Sequence, residues 1–295
     1  MRHDLTTEAQ NPASTAIDAL RTEQMLEIIN AADAEIAGAV RREIPAIALA
    51  VDGITERLEK GGHLFYIGAG TSGRLGVLDA SECPPTFNVP PEMVQGLIAG
   101  GDEALRRSAE KAEDDPERGK RDLEERGFGS GDALVGIAAS GRTPYVLGGL
   151  LYARGLGALT IGLSCTANSE VAQTAEIAIT PIPGPEVITG STRMRAGTAT
   201  KMVLNMLSTG VMIRMGYVYG NLMVNVQPTN DKLTDRARRI ISAITGVSYD
   251  EASRLLAKAG SVRTAVIMYE QKASPEEAEA ILVAAKGRLR VALGQ

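Results

Sequence analysis

Cysteine, histidine and the large aromatic residues are scarce in this sequence. Its 295 residues include two cysteines, two histidines, three phenylalanines and no tryptophan. Two cysteines provide no disulfide framework, which favours a reducing compartment, the cytoplasm. Because the two histidines lie outside any cluster with the spacing of metal ligands, the sequence does not indicate a zinc site. We therefore expect neither a catalytic metal nor another cofactor.

Long hydrophobic runs and an excess of basic residues are also missing. The 31 basic and 36 acidic side chains give a net charge of −5, which argues against nucleic acid or an anionic membrane as a partner. No apolar run approaches the ~20 residues that a membrane-spanning helix needs, and the first residues show no hydrophobic region of the signal-peptide type. The composition is that of a globular protein with one main domain and a smaller appendage.

Apolar periodicity divides the chain into three parts. Residues 1–60 are predicted to form helices that pack on the core. Residues 61–229 alternate strands with helices, which predicts an α/β fold, a three-layer αβα sandwich around a mainly parallel five-stranded sheet. Residues 230–295 carry more charge and two capping boxes, so we expect a bundle of about three small helices there. The predicted strands cover residues 63–67, 94–99, 133–138, 156–163 and 176–180.

Capping signals and apolar stripes predict the main helices. The N-terminal part should hold one helix over residues 22–40 and another over about 45–60. In the alternating part, Asp102 is a plausible N-cap for a helix that continues to about residue 113. Thr143 precedes a proline, which is typical of a helix start. A long helix over about 196–215 should close this part of the chain.

The glycine-rich run at residues 68–73, GAGTSG, follows a predicted strand and opens a helix. It matches the dinucleotide fingerprint G-x-G-x-x-G, but the acid expected about 20 residues further on is missing. Small residues and free N–H groups at a helix start are suited to an anion, so Gly70, Thr71 and Ser72 are candidate phosphate ligands. A purely structural tight turn is the alternative.

A second run of this kind makes phosphate binding more probable than a simple turn. Residues 138–144 leave a strand, turn on Gly141 and open a helix, so Ser140, Thr143 and the helix N-terminus can donate to one phosphate. Two loops rich in hydroxyls, without the G-x-x-x-x-G-K-[ST] signature, favour a sugar phosphate over a nucleoside triphosphate.

A third segment, residues 184–201, is dense in Gly, Ser and Thr before a helix and should form another wall of the same pocket. Ser191 and Thr192 are its candidate ligands. Arg193, Arg195 and Lys201 are basic residues that would add positive charge, although a solvated helix start explains each of them equally well.

Two glutamates are candidates for proton transfer. Glu82 is placed near the end of the helix that begins near Ser72, among Cys83 and two prolines, where a carboxyl can act as a general acid or base. Glu113 lies in a charged run, which by itself is more typical of a solvated surface.

These residues carry a family resemblance. Residues 190–199, GSTRMRAGTA, together with SECPP at 81–85, closely resemble the N-acetylmuramic acid 6-phosphate etherase family of the sugar isomerase (SIS) superfamily, which is related to glucokinase regulatory protein. The similarity covers nearly the whole chain, and Arg195 stands where the family usually has lysine. It implies an SIS domain over 61–229, a bundle similar to ubiquitin-associated domains over 230–295, and a homodimer.

The resemblance also implies an activity: cleavage of the D-lactyl ether of N-acetylmuramic acid 6-phosphate to N-acetylglucosamine 6-phosphate and D-lactate, in recycling of bacterial cell-wall sugars. The two acids of the family fall on Glu82 and Glu113. We expect Glu82 to protonate the departing lactate and Glu113 to remove the C2 proton, although the roles can be exchanged. A regulatory sugar-phosphate binder is the main alternative, and an aldose–ketose isomerase is the third.

The distance along the helix from Ser72 to Glu82 poses a geometric problem. Ten residues of straight helix span ~15 Å, whereas the reacting C2–C3 bond is a few bonds from the 6-phosphate. We therefore predict that either the helix breaks early, near Gly76, or Glu82 serves a pocket across a dimer interface.

Overall fold

The computed structural model describes residues 6–107 and 110–295. It contains two compact units: Met1–Glu82 with Pro91–Gly210 form the first, and Cys83–Pro90 with Val211–Gln295 form the second. All of the predicted phosphate ligands and both candidate acids belong to the first unit. The predicted division into residues 1–60, 61–229 and 230–295 remains a prediction about domains.

The first unit consists of a sheet and the helices around it. Over the described residues its helices are α1 (Thr22–Ala34), α2 (Ile36–Arg42), α3 (Ile44–Glu59), α4 (Gly70–Phe87), α5 (Pro116–Glu125), α6 (Pro144–Gly155), α7 (Glu170–Thr174) and α8 (Arg195–Arg214), of which α4 and α8 continue into the second unit. Its strands are β1 (Leu64–Gly68), β2 (Val94–Ile98), β3 (Ala133–Ile137), β4 (Leu159–Leu163) and β5 (Ile177–Ile179).

The five strands form one parallel sheet in the order β2-β1-β3-β4-β5. Gly68, the last residue of β1, is in register with Ile98 of β2 and with Ile137 of β3. The carboxyl ends of these three strands are therefore level, and the loops that follow them leave the sheet side by side. In open α/β sheets this edge is where ligands bind.

Helices cover both faces of the sheet. On one face Phe65 and Ile67 are buried with Leu134 of β3 and with Tyr145 and Leu150 of α6. On the other face α4 lies directly on β1, since a Cβ added to Gly76 would lie 2.9 Å from the Cβ of Tyr66. The predicted three-layer αβα sandwich is confirmed.

The helix predicted over residues 22–40 is interrupted. Glu35, at the junction of α1 and α2, accepts a hydrogen bond from the buried Arg195 side chain (2.6 Å). The N-terminal segment also contacts the core at Ser14, whose hydroxyl donates to the Val187 carbonyl (2.7 Å).

The helix predicted from Asp102 to about residue 113 was wrong. Short 3₁₀-helices occupy Asp102–Leu105 and Glu110–Asp114, and residues 108 and 109 lie outside the described residues. The regular helix of this region is α5, which the sequence analysis missed. Its N-cap is Asp115, whose carboxylate accepts from the Arg118 N–H (3.1 Å), and Pro116 takes the first helical position.

The second unit is mainly helical. A short antiparallel pair, β6 (Val218–Tyr219) and β7 (Leu222–Met223), precedes α9 (Asp231–Thr245), α10 (Tyr249–Ala259), α11 (Val262–Gln271), α12 (Pro275–Ala284) and α13 (Leu289–Ala292). The capping box predicted at Ser274 is confirmed, because Ser274 and Glu277 each accept from the other's backbone N–H. At Ser248 the N-cap bond to the Glu251 N–H is present, but the Glu251 carboxylate pairs with Arg254 (2.8 Å). Their core includes Ala237, Ile241, Ala252, Val262 and Val266, all fully buried. Over the described residues, no helix combines the length and apolar character that crossing a bilayer requires.

Candidate active site

The first glycine-rich loop leads from β1 directly into α4. Gly70 begins the helix with a φ of 52°, a left-handed conformation that favours glycine. Gly73 lies so close to the strand that an added Cβ would be 2.6 Å from the Gly68 carbonyl oxygen. Thr71 and Ser72 are partly buried in the first turn, where N–H groups of a helix lack intrahelical partners. Their location suits an anion.

The second loop leaves β3 beside the first. Gly141 is buried, has a φ of 72°, and approaches Ser169 so closely that an added Cβ would overlap the Ser169 side chain. Thr143 is the N-cap residue of α6, but its hydroxyl makes no capping hydrogen bond to the helix. Ser140 and Thr143 are partly buried and lie at the entrance to the helix.

The third segment reaches α8 through a buried carboxylate. Glu186 is 1% exposed and accepts hydrogen bonds from the backbone N–H groups of Arg195 (2.8 Å) and Ala196 (2.9 Å). The Arg195 guanidinium also donates to the Pro185 carbonyl (3.1 Å). Arg195 is thus engaged within the protein, and its positive charge is directed at Glu35 instead of at the pocket predicted from the sequence.

The three segments lie next to one another. A Cβ added to Gly197 in α8 would be 3.5 Å from the Thr71 methyl group, which joins the first loop to the third segment. Cys165 connects the second loop to the third segment. Its N–H donates to the Ala139 carbonyl of the second loop (2.9 Å), and its thiol donates to the Ala196 carbonyl of the third segment (3.7 Å). The predicted ligands Gly70, Thr71, Ser72, Ser140, Gly141, Thr143, Ser191 and Thr192 therefore belong to neighbouring loops at one edge of the sheet.

Glu82 lies elsewhere on α4. The helix continues unbroken from Gly70 through Gly76 to Phe87, so the break considered at Gly76 does not occur. At that position the helix needs glycine to approach β1, which explains the residue without a bend. Glu82 is exposed, and lies five residues before the helix ends instead of at its terminus.

A small cleft between α4 and α8 contains Glu82. It has a volume of about 150 Å³ and is lined by Leu75, Leu78, Asp79, Glu82, Lys201, Leu204 and Asn205. Two carboxyls, an ammonium group and an amide thus converge on an apolar recess. Glu113 is not among these lining residues.

Asp79 is a polar residue of this cleft that the sequence analysis did not single out. Its two carboxylate oxygens accept from the Tyr66 hydroxyl (2.9 Å) and the Ser208 hydroxyl (3.1 Å). Burial raises the pKa of Asp79 to about 6, and these two hydrogen bonds and the charge of Lys201 oppose that rise. Its spacing of three residues from Glu82, which places both on one helical face, was the available signal.

Glu113 lies on the 3₁₀-helix Glu110–Asp114 and is exposed. The segment before it is connected to the first loop through Arg74 of α4, whose guanidinium donates to the carbonyls of Ala104 (2.7 Å) and Leu105 (3.1 Å). The turn of helix that holds the phosphate candidates therefore also contacts the 3₁₀-helix Asp102–Leu105. The sequence analysis did not single out Arg74.

No cluster of histidine, cysteine and acidic residues suited to a metal ion occurs within residues 6–107 and 110–295. Both cysteines, Cys83 and Cys165, are buried thiols outside any disulfide, and burial raises the pKa of the Cys165 thiol to about 12. A thiol with so high a pKa is a weak nucleophile at neutral pH. The described site contributes hydroxyls, backbone N–H groups, carboxyls and the ammonium group of Lys201.

Comparison with known proteins adds the family. Residues 46–154 match the model of the glucokinase regulatory protein N-terminal SIS domain. Over 288 residues, 97% of this chain and 95% of the relative, the chain is 57% identical to an N-acetylmuramic acid 6-phosphate etherase of Rhodopirellula baltica. The chain belongs to the N-acetylmuramic acid 6-phosphate etherase family. Etherases of Clostridium beijerinckii (98% of this chain, 96% of the relative) and Pasteurella multocida (99% and 97%) are each 52% identical.

The family expectation from the sequence is thereby confirmed, and the regulatory alternative is not favoured. The etherases match along almost the full chain, whereas the regulatory-protein model matches residues 46–154. The roles of individual residues remain predictions, because sequence identity over a whole chain does not assign a proton transfer to a side chain.

Proposed function

We propose that this etherase-family chain cleaves the D-lactyl ether of N-acetylmuramic acid 6-phosphate, using Glu82 and Glu113 for proton transfer and the hydroxyl-rich loops for the phosphate. The observation that carries the proposal is the near full-length identity of 57% to an etherase. The two loops at one edge of the sheet and the exposed carboxyl of Glu82 supply the chemical groups that this reaction needs.

The phosphate is held by the first two loops. Backbone N–H groups at the start of α4 and α6 point along the helix axes, and the helix dipoles favour negative charge there. Ser72, Ser140 and Thr143 donate hydroxyl hydrogen bonds to the phosphate oxygens. Gly70 and Gly141, both with positive φ, let the backbone approach closely. Ser191 and Thr192 face the sugar.

Elimination follows in the open-chain sugar. The Glu113 carboxylate removes the C2 proton, which is acidic because C2 is adjacent to the C1 aldehyde. The C3–O bond to lactate breaks, a C2–C3 double bond forms, and the carboxyl of Glu82 protonates the departing lactate oxygen. Glu82 then takes a proton from water, which adds to C3, and C2 is reprotonated. Each proton transfer of this kind contributes ~10²- to 10⁴-fold.

The unbroken α4 makes a shared site the better arrangement. Ser72 and Glu82 are ten residues apart in one helix, which corresponds to ~15 Å. A single sugar cannot contact both ends within one subunit, so Glu82 serves the phosphate loops of a second copy in a homodimer. Exposed apolar residues on the first unit support such an interface, among them Leu26, Ile44, Leu49 and Leu78, each about half exposed.

The activity is tested by D-lactate release from N-acetylmuramic acid 6-phosphate in H₂¹⁸O, with mass spectrometry of both products. The expected result is lactate without label and N-acetylglucosamine 6-phosphate with ¹⁸O at C3. Label in the lactate would show attack on the lactyl side and a different mechanism. Binding of the sugar phosphate without release would favour a regulatory protein.

In the cell we propose a cytoplasmic role in the recycling of cell-wall amino sugars. The two buried cysteines, neither of them in a disulfide, are compatible with a reducing compartment. The predicted similarity of residues 230–295 to ubiquitin-associated domains is part of the same proposal, supported by the helical second unit.

A further inference from the structure

The cleft around Glu82 is too small for a whole sugar phosphate. Its volume of about 150 Å³ lies below the ~300–1,000 Å³ of typical pockets for drug-sized ligands. A cleft below that range suits a fragment of the proposed substrate, such as the six heavy atoms of a lactyl group with its ether oxygen.

The polar lining of the cleft suits an anion on one side. Lys201 and Asn205 are four residues apart in α8, so their side chains lie one above the other on one helical face. Both residues are exposed at the mouth of the cleft. An ammonium group and an amide N–H₂ are donors that a carboxylate accepts from, while Leu75 and Leu78 offer an apolar surface for a methyl group.

We propose that Lys201, together with Asn205, binds the carboxylate of the D-lactyl group in the cleft that contains Glu82. This subsite rests on the proposed function, because it places the ether oxygen of the same lactyl group beside the acid that protonates it. The lactyl carboxylate is also the charged group that distinguishes the substrate from the amino sugar product. Lys201 is then the residue that selects the substrate over N-acetylglucosamine 6-phosphate.

Asp79 is the partly buried carboxyl of the cleft. Its two oxygens accept hydrogen bonds from Tyr66 of β1 and Ser208 of α8, which hold this carboxyl against the core. Lys201 is close enough to lower the pKa of Asp79 through its charge, and its exposed ammonium group also adds positive charge at the mouth of the cleft for the lactyl carboxylate.

The test compares two ligands that differ by the lactyl group. In a Glu113→Gln background, which slows turnover, calorimetry gives the Kd of N-acetylmuramic acid 6-phosphate and of N-acetylglucosamine 6-phosphate. Lys201→Met should raise the Kd of the lactyl ligand about 10- to 100-fold and change that of the other ligand less than about twofold. Lys201→Arg should restore most of the difference, because it retains the charge.

The matched control is Lys60→Met, which removes an exposed lysine of the first unit that pairs with Glu56 at the end of α3. It should leave both affinities unchanged. Equal weakening of both ligands by Lys201→Met would place Lys201 at the phosphate and overturn the subsite, as would no weakening of either. Lactate release by the unaltered protein distinguishes failure of the subsite from failure of the proposed function. If lactate is not released, the proposed function is wrong as well. If lactate is released, only the assignment of the subsite is wrong.

Discussion

The first turn of α4 and its stretch from Asp79 to Glu82 carry opposite chemistry. At its start, Gly70, Thr71 and Ser72 present N–H and hydroxyl donors at the positive end of the helix dipole. Further along, Asp79 and Glu82 present carboxyls at a cleft formed with α8. The helix between them is continuous, so the two groups are held ~15 Å apart. If both groups act on the substrate, this one rigid helix contributes to two active sites, one in each of two copies of the chain.

Substitution of Glu82 should have the largest effect on activity. Glu82→Gln keeps the size of the side chain but removes its proton, so kcat for lactate release should fall ~10²- to 10⁴-fold. The Kd of N-acetylglucosamine 6-phosphate should stay within about twofold, because the phosphate is bound elsewhere. Glu117→Gln, at an exposed position of α5, is the control. A kcat within tenfold of the unaltered protein would contradict the assignment of Glu82.

The donor end is tested by removing hydroxyls. Ser72→Ala combined with Ser140→Ala should raise the Kd of the sugar phosphate ~10- to 100-fold or more, because hydrogen bonds to a charged group are lost. Isothermal titration measures the affinity, and thermal unfolding checks that the fold is retained. Unchanged affinity would show that the loops are structural turns.

Mixing the two variants tests whether the ends serve different copies. In a heterodimer of the Glu82→Gln chain with the Ser72→Ala, Ser140→Ala chain, a shared site regains one intact combination. Random reassociation should then restore about one quarter of the unaltered activity. If both ends acted on one sugar within a subunit, the mixture would stay as inactive as its components. The shared site is falsified if no activity returns although heterodimers form.

Asp79 connects α4 to β1 and α8 through its two hydrogen bonds, and its contribution to the free energy of unfolding depends on pH. Burial raises its pKa from 3.8 to about 6. The folded protein therefore binds the Asp79 proton more tightly than the unfolded chain does. The stabilisation that comes from this difference is complete below pH ~3.8 and is lost as the pH rises through about 6. Asp79→Asn removes this pH dependence. Between pH 4 and pH 7, the free energy of unfolding of the variant should therefore rise by about 2 to 3 kcal/mol relative to that of the unaltered protein.

Urea unfolding at a series of pH values measures that difference. Asp33→Asn, at an exposed position of α1, should show no such trend. A constant difference between the Asp79→Asn protein and the unaltered protein would mean that the carboxyl does not titrate in this range.

The first turn of α4, by comparison, is held against β1 by close backbone packing at Gly73. An alanine at Gly73 would place its Cβ 2.6 Å from the Gly68 oxygen and from Ile98 Cγ1, so Gly73→Ala should lower the free energy of unfolding by ~1 to 3 kcal/mol. Gly38→Ala is the control: its Cβ would meet nothing within 4 Å, and helix propensity should raise stability by ~0.5 to 1 kcal/mol. Chemical denaturation compares the two, and equal effects would contradict the packing argument.

Local patterns were sufficient for most of the sheet. Short apolar runs predicted all of β1 to β5, and the glycine-rich runs predicted the starts of α4 and α6. The sequence analysis did not recognise Asp79, because its partners Tyr66 and Ser208 are 13 and 129 residues away. Only the tertiary fold brings a carboxyl of α4 to a hydroxyl of α8.

Between β2 and β3 the local patterns were ambiguous. Asp102 resembles an N-cap, yet the chain there forms a 3₁₀-helix whose carbonyls accept from Arg74, a contact between residues about 30 apart. Asp115 and Pro116 were the better start signal, and they begin α5. Glu113 came from the family resemblance alone, since an acidic run carries no signal that separates a catalytic residue from a solvated one.

Glu186 gives the sugar phosphate a direction. A buried carboxylate bound to the first N–H groups of α8 is a resident anion, so that helix end is already occupied before any ligand arrives. In the proposed function, the phosphate therefore binds at the starts of α4 and α6, and the sugar ring lies toward Ser191 and Thr192. The three loops of the proposed site are therefore not equivalent, and the substrate should bind in a single orientation.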